Sequence, residues 1–498
     1  MIATSIRSYY NLTSVYLYPI LKNPNRAIPT GSCVLKTSLF IKMVLTNLSN
    51  QLSLNGEKYL DRQLCNLSII TEFFPPDYAA TGQLIEELAT QLEQQNIKIE
   101  VFTGQPNYAF SISKAETLEQ RGNMRVQRSR STQVWSRRIR GKTLNGVLFT
   151  VRAFLHIIKN IRRHDLFLLT SAPPFLQIAG YLANRLCFGK VSYLCLIYDL
   201  YPDIAVNLGV VAEDHWIVKI WQSINRQIWK QAKGIIVLSA GMKERVSSLC
   251  PEVADKISVI HSWSDPEAIV PMEKKDNWFA QKHDLVNKFT VLYSGNMGRC
   301  HDLGTIMETA KQLQSEPIQF VFIGGGPKLD SVVETVNQWQ LTNCLFLPYQ
   351  DKEVLPYSLT ACDLSLVSVD VGLDSLVAPS KLYSALAAGR PVAVICSEQS
   401  YLRQLIAKGK CGISVNNGDS QGLTDFIRWL AHNPESAAEM GQASRHYLES
   451  CFTPKIIAEE YLQVLIKSLD RDKRHWYRLA RSYKRCNTRG STNQANLE

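Results

Sequence analysis

Residues 289–327, FTVLYSGNMGRCHDLGTIMETAKQLQSEPIQFVFIGGGP, decide the fold. FTVLYS and IQFVFI are short apolar runs of the kind buried on both faces of a sheet. DLGTIMETAKQLQ between them carries its apolar residues at helical spacing. Strand, helix and strand of these lengths make a parallel crossover unit, and both strands end in a glycine turn.

The same rhythm extends downstream through KLDSVVETVNQWQ, CLFLPY, CDLSLVSV, SKLYSALAAG and PVAVIC. Upstream it appears in NLSIITEF, TGQLIEELATQLEQQN, KIEVFTG, DLFLLTS, FLQIAGYLANRLCFG, VSYLCLIYD and AKGIIVLSAG. The polar, proline-interrupted HSWSDPEAIVPMEKKDNWF separates the two series. The reading is an α/β chain with two Rossmann-like, doubly wound parallel-sheet domains facing a central cleft, over 65–265 and 289–452, joined by a linker at 266–288. Pro454 starts a last helix over 453–470 that crosses outside the second sheet. An N-terminal extension (1–64), expected to be poorly ordered, and a basic tail (471–498) flank these parts. The extension reads either as a targeting segment or as an over-long start with translation beginning near Met43.

The 498 residues are 45% hydrophobic and 20% charged, as expected of folded domains, with 55 Lys and Arg against 44 Asp and Glu. No acid occurs from Arg121 to Lys142, a pattern that suits anionic lipid, phosphorylated substrates or a plain solvated loop. Nucleic-acid binding would rest on net charge alone, with no recognisable module. The twelve cysteines show no C-x-x-C spacing and the nine histidines no metal-ligand spacing. Neither a metal site nor a disulfide framework is therefore expected, and a reducing compartment is. No apolar run reaches the roughly 18 residues of a spanning helix. LNGVLFTVRAFLHIIKNIRRHD puts Leu144, Val147, Leu148, Val151, Leu155 and Ile158 on one helical side, widened by Phe149, Phe154 and Ile157. That face either packs on the sheet or enters a membrane interface, with 121–163 as a membrane-facing edge carrying Arg137, Arg138 and Arg140.

Three turns of the second half share one design, a strand delivering Gly or Pro to a helix start: Gly295-Asn296-Met297-Gly298-Arg299, Gly324-Gly325-Gly326-Pro327 and Pro379-Ser380-Lys381. Free N–H groups and the helix dipole at such starts favour an anion, and Arg299 and Lys381 add cations. Neither a Walker loop nor a full dinucleotide fingerprint is present, which weakens the case for a kinase or a dehydrogenase. Asp302 reads as a helix N-terminal acid.

With FFPPDYAATGQ, FTGQPNY, TSAPPFL, YDLYPD and VLSAGM in the first half, and LYSGNMGRCHDL, FIGGGP, ACDLSLV and PSKLYSALAAGRPV in the second, residues 66–465 resemble the retaining, nucleotide-sugar-dependent glycosyltransferases of family four. These have the GT-B architecture, and the nearest branch is that of bacterial exopolysaccharide and colanic-acid-type synthesis. The resemblance implies transfer of a sugar from a UDP- or GDP-sugar to a glycan or lipid-linked glycan acceptor, without metal or other cofactor, in the cytoplasm at the inner face of its membrane. By carry-over Gly295, Asn296, Gly298 and Arg299 lie beside the phosphates, with Gly325 in the second glycine turn. Pro379, Ser380 and Lys381 sit at the diphosphate, and Pro348 and Tyr349 near the base. Thr81, Gly82 and Gln83 stand on the acceptor side, and Asp199, Arg299 and Lys381 are the catalytic candidates. Where many members carry two glutamates, one binding the ribose, this chain has Leu376 and Ser384. Tyr198 stands where many have histidine, and His301 where a lysine is common. These departures keep two rivals in view, a degenerate nucleotide-binding or scaffold subunit and a GT-B sugar-nucleotide epimerase.

Overall fold

The computed structural model describes residues 65–77, 79–106, 115–129 and 139–470. The expectations for 1–64, for Arg137 and Arg138, for the Arg140 side chain and for 471–498 lie outside the described residues.

The first sheet holds β1 (Cys65–Ile70), β2 (Ile97–Thr103), β3 (Leu118–Arg121), β4 (Met124–Arg128), β5 (Leu166–Thr170), β6 (Tyr193–Ile197), β7 (Gly234–Val237) and β8 (Ile257–Val259). Its spatial order is β3-β4-β2-β1-β5-β6-β7-β8, and only the β3/β4 hairpin is antiparallel. The second sheet, wholly parallel, holds β9 (Phe289–Ser294), β10 (Ile318–Ile323), β11 (Cys344–Leu347), β12 (Leu364–Ser368), β13 (Val392–Ile395) and β14 (Gly412–Val415). Its order β11-β10-β9-β12-β13-β14 reverses between β9 and β12, which opens a crevice beyond their carboxyl ends. β9 and β10 pair from Phe289 opposite Ile318 to Ser294 opposite Ile323, so Gly295 and Gly324 leave the sheet side by side. Every residue of β5, β6, β12 and β13 is buried, as strands covered on both faces require.

The segment expected to be a linker is only partly one. From Lys274 it folds onto the second domain: Lys274 Nζ donates to Asp363 Oδ2 at 2.6 Å and to the Lys288 carbonyl at 2.6 Å, and Asn277 Nδ2 donates to the Tyr357 carbonyl at 2.9 Å. The chain returns at Phe452, whose ring meets Tyr383 and Tyr447 at 5.1 and 5.0 Å and His261 of the first domain at 5.6 Å. The Phe452 carbonyl also accepts from the Ser264 N–H at 3.2 Å. The last helix, Pro454–Asp470, then lies on the first domain, with Tyr461 edge-on to Trp263 at 6.3 Å.

Two helices of the first domain matter below, α1 (Ala80–Gln94) and α2 (Ile139–Asn160). The face that α2 buries is Phe149, Ala153, Ile157 and Asn160, not the expected Leu144-to-Ile158 side, where Leu144, Val147, Val151 and Leu155 are exposed. The helix carries two apolar stripes, and the sheet takes the one with Phe149, Ala153 and Ile157. Gly146, on the same helix, lies so close to Phe175 and Pro173 that a Cβ there would meet both at 3.1 Å. The basic run is likewise not all solvated. Arg121 bonds Glu86 and Glu119, and Arg128, 1% exposed, donates to the Pro75 carbonyl at 2.6 Å and to Glu119 at 3.0 Å.

Candidate functional site

A cleft of about 590 Å³ opens between α1 and the carboxyl-end loops of the second sheet. Gln83, Gly295, Tyr349, Ser380, Lys381 and Ser384 line it. α1 contributes Ala80, Gln83, Leu84 and Glu87, spaced i, i+3, i+4 and i+7, which is one helical face.

The cleft is organised around Lys381, the first residue of α3 (Lys381–Ala387). Its ammonium reaches back from the helix to the turn after β9, donating to the Asn296 carbonyl at 2.9 Å and lying 3.3 Å from His301 Nε2 and 5.0 Å from the centre of the Tyr293 ring. Gly295, at φ +117°, leaves room for this side chain, since a Cβ there would sit 3.0 Å from Lys381 Cε. No carboxylate among the described residues forms an ion pair with Lys381. Burial pushes its ammonium down to about 7. His301 Nδ1–H donates to the Ser368 carbonyl at 2.7 Å, which leaves Nε2 as the acceptor facing the ammonium. Burial first, and then the Lys381 charge, push His301 down to about 3, so it is neutral.

The other expected residues divide into supports and outliers. The amide of Met297 donates to the Gly325 carbonyl at 2.7 Å, locking the first two glycine turns together. Gly324, at φ +133°, has the Gly295 carbonyl where a Cβ would go, 2.2 Å from the ideal position, and Gly325 lies under the Tyr349 ring. The second turn thus braces the first and does not reach the cleft with its glycines. Gly298 abuts the Asn296 side chain, and Pro379 is buried behind Ser380. Gly82 lets the start of α1 pack on the Phe73 and Phe74 backbone, which a Cβ at this position would meet at 3.1 Å, with half-buried Thr81 beside it, behind the cleft wall. The turn after β9 does not run into a helix start either. The next helix begins at Gly304, and Asp302 caps it through the Thr305 amide at 3.0 Å, as its sequence position suggested.

Arg299 is exposed, makes no hydrogen bond or ion pair among the described residues, and does not line the cleft. Asp199 also lies outside the lining, on the loop after β6. Its amide donates to Ser171 Oγ at 3.3 Å, and its backbone bridges to Val377, two residues before Pro379. The adjoining Leu200 amide donates to the Leu376 carbonyl at 3.1 Å. Asp199 is exposed, yet the protein packed around it still pushes its carboxyl up to about 6. The Cys300 thiol is raised to about 11, by burial first and then by the charge of Asp199, so the turn after β9 faces this loop across the domain boundary. Leu376 is buried, whereas Ser384 lines the cleft with its hydroxyl donating to the Lys381 carbonyl at 3.0 Å.

Sequence reasoning passed over Glu87, which accepts from Trp263 Nε1 at 2.8 Å and is raised chiefly by burial. The helical spacing from Gln83 was the available signal. It also passed over Glu100, His156 and His164, whose donor atoms all lie within 4.8 Å of one another, at sequence separations that form no motif. The Asn160 amide nitrogen, 3.2 Å from His156 Nδ1, leaves His156 Nε2 carrying the proton toward Glu100. Burial would lift Glu100, but His164, His156 and Arg125 outweigh it and hold it low, while burial pushes His156 down to about 4 and so keeps that imidazole neutral.

Residues 274–447 match the family described as Glycosyl transferases group 1. The probable glycosyltransferase WbjE of Pseudomonas aeruginosa is 24% identical over 326 residues, 64% of this chain and 78% of that protein. The putative colanic acid biosynthesis glycosyl transferase WcaI of Escherichia coli K12 is 34% identical over 119 residues, 24% of this chain and 29% of its own. Sucrose-phosphate synthase from Thermosynechococcus elongatus matches at a TM-score of 0.65 and 16% identity, over 82% of this chain and 100% of that one. Anabaena HepE, solved with UDP-glucose, matches at 0.55 and 14%, over 80% and 99%. At these identities the solved structures speak to the fold, which is GT-B.

Proposed function

We propose that this chain, which carries a glycosyl transferases group 1 domain in a GT-B fold, is a glycosyltransferase of polysaccharide biosynthesis that moves a sugar from a UDP- or GDP-sugar to a hydroxyl of a glycan or lipid-linked glycan with retention, a reading that the likeness to WbjE and WcaI supports. Its setting is exopolysaccharide or related envelope glycan assembly. The observation that carries this reading is Lys381, a half-buried ammonium without a carboxylate partner among the described residues, on the wall of the cleft. A half-buried cation whose hydrogen-bonding protein partners are a carbonyl and an imidazole gains from an anion, and a diphosphate supplies one. The UDP-glucose complex of HepE supports a sugar nucleotide as that anion.

In this reading Lys381 and the Gly295–Asn296 turn hold the diphosphate and stabilise the charge that grows on it as the sugar departs. A cation belonging to the chain stands at the leaving group, so the reaction runs without metal or cofactor. The phenol ring of Tyr349 offers the base a flat surface, and Ser384 Oγ offers the ribose one hydrogen bond. Retention places the acceptor on the face that the diphosphate leaves, between the second domain and Gln83 on α1. Asp199, outside the cleft lining but on the loop bridged to Val377 just before the Pro379–Lys381 turn, is ionised above about pH 6 and in this reading balances positive charge developing on the sugar.

A thermal-shift screen of nucleoside diphosphates and their sugars tests the donor. A ligand at a hundred times its dissociation constant stabilises the fold by about 2.7 kcal/mol. Anomeric couplings in the product then test retention. If no sugar nucleotide shifts the transition, the donor assignment fails. Leu376 and Ser384 in place of carboxylates favour a second reading, a binding subunit, and tight nucleotide binding without turnover over a broad acceptor panel would establish it.

A further inference from the structure

Glu100 lies on β2, α2 brings His156 against it, and the turn that leads from α2 to β5 adds His164. The side chains of Glu100, His156 and His164 are 12%, 3% and 6% exposed. His156 Nε2 stands 3.8 Å from Glu100 Oε1, and His164 Nε2 stands 3.5 Å from Glu100 Oε2. Neither pair meets the geometry of a hydrogen bond. His156 Nε2 and both ring nitrogens of His164 are buried without a hydrogen-bond partner. Three such nitrogens turned toward one carboxylate are costly unless something else engages them.

A metal ion would. Around a four-coordinate zinc the nitrogen and oxygen ligands, each about 2.0–2.2 Å from the metal, stand about 3.4 Å from one another. The spacings at Glu100 are near this value, and a small inward turn of the imidazoles closes the difference. The protonation states also suit a metal, since Glu100 is held low and burial keeps His156 neutral. On binding, His156 exchanges its Nε2 proton for one on Nδ1, toward which the Asn160 amide turns its oxygen at the cost of its 3.0 Å bond to the His156 carbonyl. His164, bonded at neither nitrogen, takes either tautomer freely.

The neighbouring charges narrow the choice of ion. Arg125 and Lys159, which both act on His156, oppose a cation held by charge alone. The donor set therefore favours a metal with strong nitrogen affinity, as zinc has, over magnesium or calcium, which take shells of oxygen. The way in is a pocket of about 460 Å³ beside α2, with His156 in its wall, from which water can fill the fourth position.

We propose that Glu100, His156 and His164 form a zinc site that fastens β2, the end of α2 and the approach to β5 to one another. None of the three lines the cleft, so the site holds the first domain together and takes no part in moving the sugar.

The test is titration of the full chain, freed of metal by a chelator and dialysis, with zinc against a chromophoric indicator. It should bind zinc at this site and melt several degrees higher, while magnesium and calcium at the same concentration change nothing. Cobalt in place of zinc should give the visible bands of a four-coordinate site. Glu100→Gln, which keeps the side chain's shape, and His164→Ala, which removes no hydrogen bond, should each weaken zinc binding about a hundredfold and abolish the cobalt bands. Each should keep the parent's circular dichroism spectrum, and Glu100→Gln alone decides if His164→Ala does not fold. Cysteines elsewhere in the chain can also take up zinc, and the variants separate the two sources. Zinc affinity and cobalt bands that survive in Glu100→Gln overturn the proposal. So does a parent whose melting temperature zinc does not raise, because the three side chains are then an ion network only.

Discussion

The turns after β9 and β10 are alike in composition and leave adjacent parallel strands in register, yet they do different work. Gly295 at the first turn lies against the Lys381 side chain and lines the cleft, whereas Gly324 and Gly326 at the second fit against the backbone and side chain of the first. One turn meets the ligand space and the other holds it in place. Glycine marks a close approach, but its partner decides whether that approach is to ligand or to protein.

The comparison breaks most visibly at Lys381. Lys381→Ala removes the ammonium from the cleft wall, and kcat/KM should fall by about a hundredfold or more, with the melting temperature little changed. The pH dependence sharpens this. Burial holds the folded ammonium near 7, below its unfolded value, so the unfolded chain binds the extra proton above that pH and the empty protein gains stability as pH rises beyond about 7. A bound diphosphate favours the charged form and raises this value. Binding at pH 8 should therefore take up a proton, read by calorimetry in buffers of different ionisation enthalpy, and Lys381→Ala should abolish the uptake. Equal uptake in the variant would assign the proton elsewhere.

Gly324→Ala attacks the supporting turn. Its φ of +133° alone makes a side chain cost about 1–3 kcal/mol, and the Gly295 carbonyl blocks the Cβ position. The expected result is a lowered urea midpoint together with weaker nucleotide binding. A variant that keeps the parent's stability would show the second turn to be free of the first. The smallest effect is a gain. Ser384→Glu places a carboxylate on the cleft wall, and a charge-assisted bond to a ribose should tighten nucleoside diphosphate binding about tenfold, as measured by titration calorimetry. Unchanged or weaker binding would remove Ser384 from the ribose.

The two parallel sheets were legible in sequence because strands such as LFLLT and VAVI are continuous apolar runs bounded by turn residues. The edges were not: β3 and β4 are built from LEQR and MRVQR, whose charged residues hide the alternation, and β14 is only GISV. On α2, Leu144, Val147, Val151 and Leu155 form as regular a stripe as the one that packs, and periodicity alone cannot rank two stripes. At the site, Lys381, Ser380 and Gly295 could be picked out because a cation at a helix start and a glycine after a strand are unusual locally. His301 was noticed only as a departure. Its partnership with Lys381 depends on α3 meeting the turn after β9, a contact across 80 residues of chain that no local pattern encodes.

The two strands of chain that pass between the domains, at Ser264 and Phe452, are hydrogen-bonded to each other. A single tether would let one domain twist as well as swing against the other. Two tethers fastened side by side oppose such twisting and so help to keep Gln83 and Lys381 on walls of the same cleft.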